Sequence, residues 1–324
     1  MAQILGNWQP CRKPSPSIDS MKNAVPRCSL TRREFLGRAT VLAGAAWLAP
    51  ATGWSATGKR THADQVPLGR TGLKCSRLGI GTGSHSGNVQ KALGKDTFIR
   101  LIHYAFDQGI TYIDCAQSYA TFEWIGDAIK GLPREKLFVQ SKIGGQPEKI
   151  TEAIDRHRKV FNTDYVDSLL VHCMVKNRWT DDWKRIMDAF DEAQQKQWIR
   201  VKGVSCHSLP ALRTATESPW TQIHLVRLNP QGAHMDTPAE TWNAKSDPSH
   251  LPPVIEQLQQ MRAKGRGILG MKLVGDGDFT QPEDREKAMQ YVMKSGLVDS
   301  VVVGFKSTAE IDESIERMNR ALAA

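Results

Sequence analysis

Four ionisable side chains lie at or just beyond the ends of three successive predicted β-strands. Asp114 ends one strand, and Tyr119 follows five residues later. Lys142 comes directly after the next strand, and His172 ends the one after that. In a parallel barrel the carboxyl ends of the strands share one rim, so we expect these side chains to meet there. Because an ammonium beside a phenol favours the phenolate and lowers the tyrosine pKa, the set predicts a proton-delivery site.

The elements that position these residues alternate along the chain from Val66 onward. Short β-branched runs are followed by amphipathic stretches, a pattern typical of repeated βα units. Eight such units predict a (β/α)8 TIM barrel of the α/β class, and a doubly wound open sheet is the main alternative. The predicted strands are Ser76–Ile80, Ile110–Asp114, Leu137–Ser141, Val166–His172, Ile199–Ser205, Ile223–Leu228, Gly267–Lys272 and Ser300–Val303.

Helices with one apolar face are predicted between the strands. The first has Asp96 as its N-cap, because apolar residues recur at helical spacing after it. The chain is irregular from the sixth strand to Pro253, and a connection of that length usually carries function or is mobile. Other predicted helices pass through Ile125–Ile129 or span Ile150–Val160, Asp181–Gln195, Pro210–Thr216, Val254–Ala263, Pro282–Lys294 and Thr308–Ala321.

Residues 1–56 are predicted to be an export signal, disordered or helical, ahead of a barrel domain at 57–324. Ser29–Gly37 contains an arginine pair followed by Glu-Phe-Leu, then a mildly apolar stretch and small residues near a cleavage point. This pattern matches a twin-arginine signal. It predicts the twin-arginine export machinery as a partner and a periplasmic or otherwise extracytoplasmic location. A basic helix with a membrane-surface face is the alternative.

Charge and cysteine usage restrict the classes of ligand. The chain has a formal net charge of +9, and most of that excess lies in the first 56 residues. No basic stripe interleaved with aromatic residues is present, so nucleic acid is not a predicted partner. The cysteines after the predicted signal are Cys75, Cys115, Cys173 and Cys206, without the close pairs of a zinc ribbon or a redox dithiol. We therefore predict no metal site and interpret these cysteines as buried thiols.

Several motifs occur in the order and at the strand ends found in one known family. Pro67–Gly83 is very similar to a first hairpin and strand, and Asp114–Tyr119 fits an Asp-Thr-Ala-x-x-Tyr pattern with Cys in the Thr position. Leu170–His172 and Gly203–Ser205 follow in order. Together these motifs make residues 66–320 resemble the aldo-keto reductases.

The resemblance implies a division of labour among the four ionisable residues, Asp114, Tyr119, Lys142 and His172. Tyr119 would hydrogen-bond the substrate carbonyl oxygen and donate its proton as general acid. Lys142 would stabilise the tyrosinate, and Asp114 would hold that lysine in a partly dry pocket. His172 would orient the carbonyl or help relay the proton. The hydride would come from a nicotinamide, because no side chain can supply one.

The same resemblance implies a dinucleotide bound across the rim. Ser205 and Cys206 would face the nicotinamide carboxamide, Met271 would pack against its ring, and Lys272 would meet the pyrophosphate. Gly81 and Thr82 would also bind the dinucleotide. They belong to a Gly-rich strand end that lacks the G-x-G-x-x-G spacing of a Rossmann fingerprint. Cys206 replaces the Asn of many members, and Met271 replaces an aromatic residue.

The last predicted strand and helix resemble the family's adenosine-binding region. Gly304 directly follows the last predicted strand, and Lys306 and Ser307 precede the helix. The resemblance implies that all three bind the cofactor. Lys306 and Ser307 at a helix N-terminus suit a 2′-phosphate through charge and exposed N–H groups. We therefore expect NADP(H), with NAD(H) as the alternative. Glu310 departs from the Arg or Gln of many members and would repel that phosphate if it pointed inward.

The sequence thus favours an NADP(H)-dependent reductase of an aldehyde or ketone. One alternative is a barrel that binds dinucleotide as a redox sensor or partner subunit with little turnover. A second is a metal-dependent hydrolase that uses His172, Cys173, Cys206 and His207. Because free NADPH is not expected outside the cytoplasm, an exported enzyme would need a tightly held cofactor or a redox partner.

Overall fold

A computed structural model of the protein describes residues 59–324. Within them, eight parallel strands close into a barrel and helices alternate with the strands, which confirms the (β/α)8 prediction. The predicted export signal lies outside the described residues. Over residues 59–324 no helix has the length and apolar character needed to cross a membrane.

The barrel strands pair in chain order, and the last returns to the first. An antiparallel hairpin, β1 (Gln65–Pro67) and β2 (Lys74–Ser76), precedes the barrel. Val301 of the last strand pairs with Leu78 of the first, and this pairing closes the barrel. The barrel strands are β3 (Leu78–Gly81), β4 (Tyr112–Asp114), β5 (Phe138–Ile143), β6 (Val166–Met174), β7 (Ile199–Cys206), β8 (Ile223–Arg227), β9 (Gly267–Met271) and β10 (Ser300–Gly304).

The α-helices occur between successive barrel strands, with one after the last strand. Short 3₁₀ turns supplement them, for example at Pro248–His250 in the long connection after β8. The α-helices are α1 (Asn88–Lys91), α2 (Lys95–Asp107), α3 (Ile125–Ile129), α4 (Ile150–Phe161), α5 (Trp179–Asp182), α6 (Lys184–Gln195), α7 (Leu209–Glu217), α8 (Leu251–Ala263), α9 (Pro282–Ser295) and α10 (Thr308–Ala323).

Strand alternation divides the apolar core into two clusters. Tyr112, Phe138 and Leu170 belong to a cluster inside the barrel, to which Val66 and Leu68 of the hairpin region also contribute. The neighbouring strand residues instead join a larger cluster with the helices. Because side chains alternate between the two faces of a strand, residues two positions beyond the inner cluster point inward as well. This rule brings polar side chains onto the upper level of the barrel interior.

Several helix boundaries differ from the sequence prediction, among them those near Asp96, Trp183 and Leu251. The first long helix begins at Lys95 after Gly94, so Asp96 lies in the first turn instead of capping it. The predicted helix over Asp181–Gln195 is interrupted at Trp183, whose backbone is not helical. The helix predicted from Val254 begins at Leu251, because two prolines in the first turn lack N–H groups that would be unpaired there anyway.

The end of β6 carries a β-bulge that affects the site directly. The register with β7 shifts between Val171 and Met174, and Cys173 has a positive φ of 63°. Bulges redirect side chains next to functional sites. As a result, the consecutive residues His172 and Cys173 both line the same cleft. The sequence prediction had ended this strand at His172, two residues short.

Candidate active site

The centre of the site is a buried ion pair between neighbouring strands. Lys142 Nζ lies 2.7 Å from Asp114 Oδ2 and donates to the Cys115 carbonyl oxygen at 2.7 Å. The lysine is only 1% exposed. Burial by itself lowers the pKa of Lys142, but Asp114 and Tyr119 outweigh it and the pKa is raised. The ammonium therefore stays charged within the barrel.

Tyr119 completes the contact that the sequence predicted. Lys142 Nζ lies 3.4 Å from Tyr119 Oη, so a phenol and an ammonium do meet at this rim. Burial raises the pKa of the Tyr119 phenol, and the opposing effect of Lys142 does not cancel it. The sequence-based expectation of a lowered pKa was therefore wrong for the net direction. A raised pKa keeps the phenol protonated and ready to donate.

A glycine makes room for the Tyr119 ring. A Cβ added at Gly83 would lie 2.4 Å from ring carbons of Tyr119. That distance is shorter than carbon atoms can approach without displacement. Gly83 therefore fixes where the phenol sits, in the loop that follows β3.

Gln140 is a buried polar residue at the site that the sequence analysis did not identify. Its Nε2 donates to Asp114 Oδ1 at 2.8 Å and also reaches Tyr112 Oη at 2.8 Å. Ser168 Oγ donates to Gln140 Oε1 at 2.9 Å. These hydrogen bonds hold Asp114 Oδ1, while Lys142 holds Oδ2, so both carboxylate oxygens of Asp114 are fixed. The only sequence signal was a Gln at an inward position two residues before Lys142.

His172 packs edge-on against Tyr119, with ring centroids 5.6 Å apart and an interplanar angle of 77°. Burial, assisted by the charge of Lys142, lowers the pKa of His172 to about 3. The imidazole is therefore neutral at working pH. A neutral ring can donate a hydrogen bond to a carbonyl oxygen without adding charge to the site.

A second imidazole and a guanidinium extend this group of side chains. Arg227 donates through Nη2 to His207 Nδ1 and, at 3.1 Å, to the carbonyl oxygen of Trp242. The rings of His172 and His207 lie 6.5 Å apart. Neither His207 nor Arg227 was predicted to take part in a reductase site. Their signal was weak, because Arg227 lies one residue before the predicted end of a strand and matched none of the motifs.

These side chains open onto one cleft of about 1270 Å³ at the carboxyl ends of the strands. All four predicted catalytic residues line it. The long connection after β8, predicted as irregular, contributes Trp242, whose side chain is 63% exposed. Of the residues predicted to bind cofactor, those that line the cleft are Gly81, Ser205, Met271, Lys272, Gly304 and Lys306.

Three other residues predicted to bind cofactor do not line the cleft. Thr82 is fully buried, and its hydroxyl donates to the Asp114 carbonyl oxygen at 3.1 Å. Cys206 packs in the outer cluster, because strand alternation sends it away from the side occupied by Ser205. Ser307 caps the last helix by accepting a hydrogen bond from the N–H of Glu310 at 3.3 Å. The resemblance that suggested these three residues did not indicate that their side chains lie outside the cleft.

The nicotinamide end of the predicted cofactor site has specific polar groups. Ser205 Oγ accepts from the Cys173 N–H at 3.0 Å, which leaves its hydroxyl hydrogen available as a donor. Met271 is half-buried at the end of β9. Lys272 follows with a positive φ of 62° and pairs with Asp276 at 2.7 Å.

The opposite end of the cleft contains charged residues from the last two helices. Glu310 Oε2 accepts a hydrogen bond from the Lys306 N–H at 2.7 Å, and its other oxygen lies 3.6 Å from Lys306 Nζ. Arg285 and Arg317 both donate to Glu313 Oε1 at 2.8 Å. Thus Glu310 contacts the backbone and side chain of the residue predicted to meet a 2′-phosphate.

The arrangement does not resemble a metal centre. Across residues 59–324 no group of three or more His, Cys, Asp or Glu side chains is placed to hold a metal ion. The four cysteines of this region are free thiols. Burial raises the pKa of Cys115 to about 12 and that of Cys206 well above its usual value, which is typical of inert thiols. Nothing here favours the hydrolase alternative.

Comparison with known proteins identifies the group to which the chain is related. The model of the Aldo/keto reductase family matches residues 77–242. The NAD/NADP-dependent indole-3-acetaldehyde reductase of Schizosaccharomyces pombe is 30% identical over 146 residues, 42% of this chain and 49% of that protein. Aldo-keto reductase YhdN of Bacillus subtilis is 30% identical over 169 residues, 47% of this chain and 49% of that protein. The chain thus spans about half the length of these relatives.

Solved structures share the fold over most of the chain. A putative aldo-keto reductase from Pseudomonas aeruginosa superposes with a TM-score of 0.65 at 21% identity, covering 83% of this chain and 100% of the other. The holo form of aldo-keto reductase AKR11C1 from Bacillus halodurans gives 0.62 at 19% identity, covering 81% and 97%. The family model covers half of the sequence, and on that ground the chain belongs to the aldo/keto reductase family.

Proposed function

We propose that the protein reduces an aldehyde or ketone to an alcohol with a nicotinamide cofactor. The observation that carries the proposal is the contact of Lys142 with both Asp114 and Tyr119 at the edge of a large cleft. A protonated phenol beside a buried ammonium can donate to an oxygen that is gaining negative charge. Membership of the aldo/keto reductase family supports oxidoreductase chemistry on carbonyls.

Each side chain has a separate part in this proposal. Tyr119 hydrogen-bonds the carbonyl oxygen and gives it a proton, while Lys142 stabilises the phenolate that remains. Asp114, which accepts a hydrogen bond from Gln140, holds the lysine in place. His172, neutral at working pH, donates a second hydrogen bond that orients the carbonyl. The alcohol product thus receives its oxygen-bound proton from the protein.

The cleft fits a nicotinamide dinucleotide. When bound, this cofactor supplies the hydride that adds to the carbonyl carbon. Ser205 has a hydroxyl hydrogen available for the carboxamide, Met271 offers a thioether surface for a ring, and Lys272 offers charge for a pyrophosphate. Lys306 lies farther along the same cleft, as an adenosine group would require.

The cofactor type has two candidates that differ at one end of the cleft. Lys306 and the N-terminus of the last helix favour NADP(H), as the sequence pattern predicts. The contacts of Glu310 with Lys306 favour NAD(H), because they put a carboxylate beside the cation that we propose for a 2′-phosphate. The Schizosaccharomyces pombe relative is named as NAD/NADP-dependent. We propose NADP(H) first, with NAD(H) retained.

Replacing Tyr119 with Phe tests the proposed chemistry. We expect kcat for aldehyde-dependent NADPH or NADH oxidation to fall about 100-fold or more, since general acid catalysis contributes roughly 10²–10⁴-fold. Dinucleotide binding, measured by fluorescence titration, should remain. A matched control is Tyr104→Phe, on the outer helix α2, whose hydroxyl bonds only Asp312 among the described residues.

The outcomes separate an enzyme from a binding protein. Turnover that depends on Tyr119 but not on Tyr104 supports a reductase. Tight dinucleotide binding without turnover of any aldehyde or ketone, in the wild-type protein, would instead support the sensor or partner-subunit alternative. Equal activity in the Tyr119→Phe variant would remove Tyr119 as the acid.

We also propose twin-arginine export to the periplasm, on the basis of the Ser29–Gly37 pattern alone. Twin-arginine export carries folded proteins, so a dinucleotide bound in the cytoplasm can cross with the barrel. A redox partner or coupled substrates would then regenerate it. Fractionation of cells that express the wild type and an Arg32→Lys, Arg33→Lys variant tests this; a cytoplasmic, unprocessed wild-type protein would refute it.

A further inference from the structure

Arg227 is a buried cation in the cleft that the proposed reduction does not use. It ends β8 and is 4% exposed, yet it lines the same cleft as Tyr119. Its Nη2 donates to His207 Nδ1 and to the Trp242 carbonyl oxygen. Within residues 59–324 its Nη1 has no hydrogen-bond partner, so two N–H donors of this nitrogen remain for a ligand.

The charge of Arg227 is only partly compensated by the protein. Its nearest carboxylate is Asp236, with Oδ1 3.6 Å from Nε, and neither oxygen of Asp236 accepts a hydrogen bond from the described residues. Burial raises the pKa of Asp236 to about 7 despite Arg227. A buried charge with incomplete compensation is costly. An anionic ligand would lower that cost.

The guanidinium also fixes the tautomer of its neighbour. Arginine has no acceptor, so His207 Nδ1 must accept and its Nε2 must carry the proton. Burial, together with Arg227, lowers the pKa of His207 well below its usual value, so the ring is neutral. His207 therefore adds another hydrogen-bond donor to a region that already contains a cation. Both features suit an anion.

Successive contacts link Arg227 to the proposed reacting groups along one side of the site. The rings of Tyr119 and His172 are 5.6 Å apart, those of His172 and His207 are 6.5 Å apart, and Arg227 contacts His207 beyond them. A single small molecule could therefore place its carbonyl at Tyr119 and an anionic group at Arg227. Since Arg227 hydrogen-bonds His207, and among residues 59–324 makes no hydrogen bond to Tyr119, His172 or Lys142, the two groups would be separated by a spacer.

We propose that Arg227 binds a carboxylate of the carbonyl substrate, so that the substrates are oxo acids with a spacer between the carbonyl and the carboxylate. The inference rests on the proposed reductase function and specifies its substrate class. A guanidinium is suited to carboxylates because it presents fixed, charged donors. The competing role is a contact with the cofactor, since Arg227 is paired in register with Met271 of β9.

Paired aldehydes test the proposal in the wild-type protein. Succinic semialdehyde and adipic semialdehyde are compared with butanal and hexanal, which match them in length but lack the carboxylate. We expect kcat/KM to favour the better oxo acid over its neutral partner by roughly tenfold to 100-fold, the range of a hydrogen bond to a charged group. The advantage should reside mainly in KM.

Variants of Arg227 then test whether this residue causes the preference for the oxo acids. Arg227→Met should abolish the preference, because kcat/KM should fall much more for the oxo acids than for the neutral aldehydes, and Arg227→Lys should restore part of the preference. The dissociation constant of the dinucleotide is measured in parallel. Arg100→Met, at an exposed position on α2, is the matched control.

Each result decides between named alternatives. A carboxylate preference that is lost in Arg227→Met and partly regained in Arg227→Lys supports the proposal. Equal kcat/KM for charged and neutral aldehydes would overturn it and leave the reductase function intact. Weakened dinucleotide binding in Arg227→Met with an unchanged preference would assign Arg227 to the cofactor instead. No turnover of any aldehyde would count against the reductase function itself.

Discussion

Two buried cations of the cleft, Lys142 and Arg227, differ in how closely a carboxylate approaches them. The ammonium of Lys142 lies 2.7 Å from Asp114 and 3.4 Å from Tyr119, whereas the carboxylate nearest to Arg227 among residues 59–324 is that of Asp236, at 3.6 Å. One cation is therefore held by the protein, and the other is left for a ligand. The same reasoning applies at the far end of the cleft, where Glu310 already pairs with Lys306.

At this scale, replacing Glu310 with Gln should change the cofactor preference. Removal of the carboxylate beside Lys306 should raise the ratio of kcat/KM for NADPH to that for NADH about fivefold, because an exposed charge interaction contributes about 1 kcal/mol or less. Steady-state kinetics with both cofactors provide the measurement. Glu316→Gln is the control, since Glu316 is on the same helix but pairs with Arg320. An unchanged ratio would show that Glu310 does not face the phosphate.

At the scale of elements, loops and strand ends set the directions of the functional side chains. The bulge in β6 turns both His172 and Cys173 toward the cleft, and Gly83 leaves space for the Tyr119 ring. In β7, regular alternation sends Ser205 inward and Cys206 outward. Thus the loop after β3 and the bulge in β6 set the positions of the functional side chains.

A Gly83→Ala substitution should disturb catalysis through this loop. Because its Cβ would lie 2.4 Å from the Tyr119 ring, the phenol must move, and we expect kcat to fall at least about tenfold while the fold persists. Circular dichroism and thermal unfolding would check the fold. In the control Gly144→Ala the nearest atom to the new Cβ is at 3.5 Å, an ordinary contact, and kcat should change less. Equal effects in both variants would contradict this role.

At the scale of the whole molecule, buried histidines make stability depend on pH. His157 and His224 are at most 1% exposed. Burial lowers the pKa of His157 to about 4 and, together with Arg266 and Lys264, lowers that of His224 to about 3. Between these values and about 6.5 the unfolded chain binds protons that the folded barrel does not. The free energy of unfolding therefore falls as pH drops below about 6.5.

We expect each of these histidines to reduce the free energy of unfolding by up to about 2 kcal/mol between pH 7.5 and pH 5. Urea unfolding of the wild type and of His224→Gln at both pH values measures this. The loss on acidification should be smaller in the variant. His234→Gln, with a side chain 43% exposed in the wild type, should match the wild type. Parallel losses in all three proteins would count against the role of His224.

The amino-acid sequence was enough to predict the barrel and the four central residues of its site. Eight alternating units impose a closed parallel sheet, and such a sheet brings strand ends together whatever lies between them. For this reason Asp114, Tyr119, Lys142 and His172 could be placed at one rim. Their position at one rim follows from strand order, which is readable from the alternation of strand and helix patterns.

The other side chains of that cleft could be identified only from the packed fold. Gln140 contacts Asp114 and Arg227 contacts His207 across neighbouring strands, and the bulge in β6 brings Cys173 to the cleft beside His172. The net pKa of Tyr119 was also decided there, because burial is a property of the packed molecule. Compensation of a buried charge depends on neighbours distant in sequence, and no local pattern encodes it.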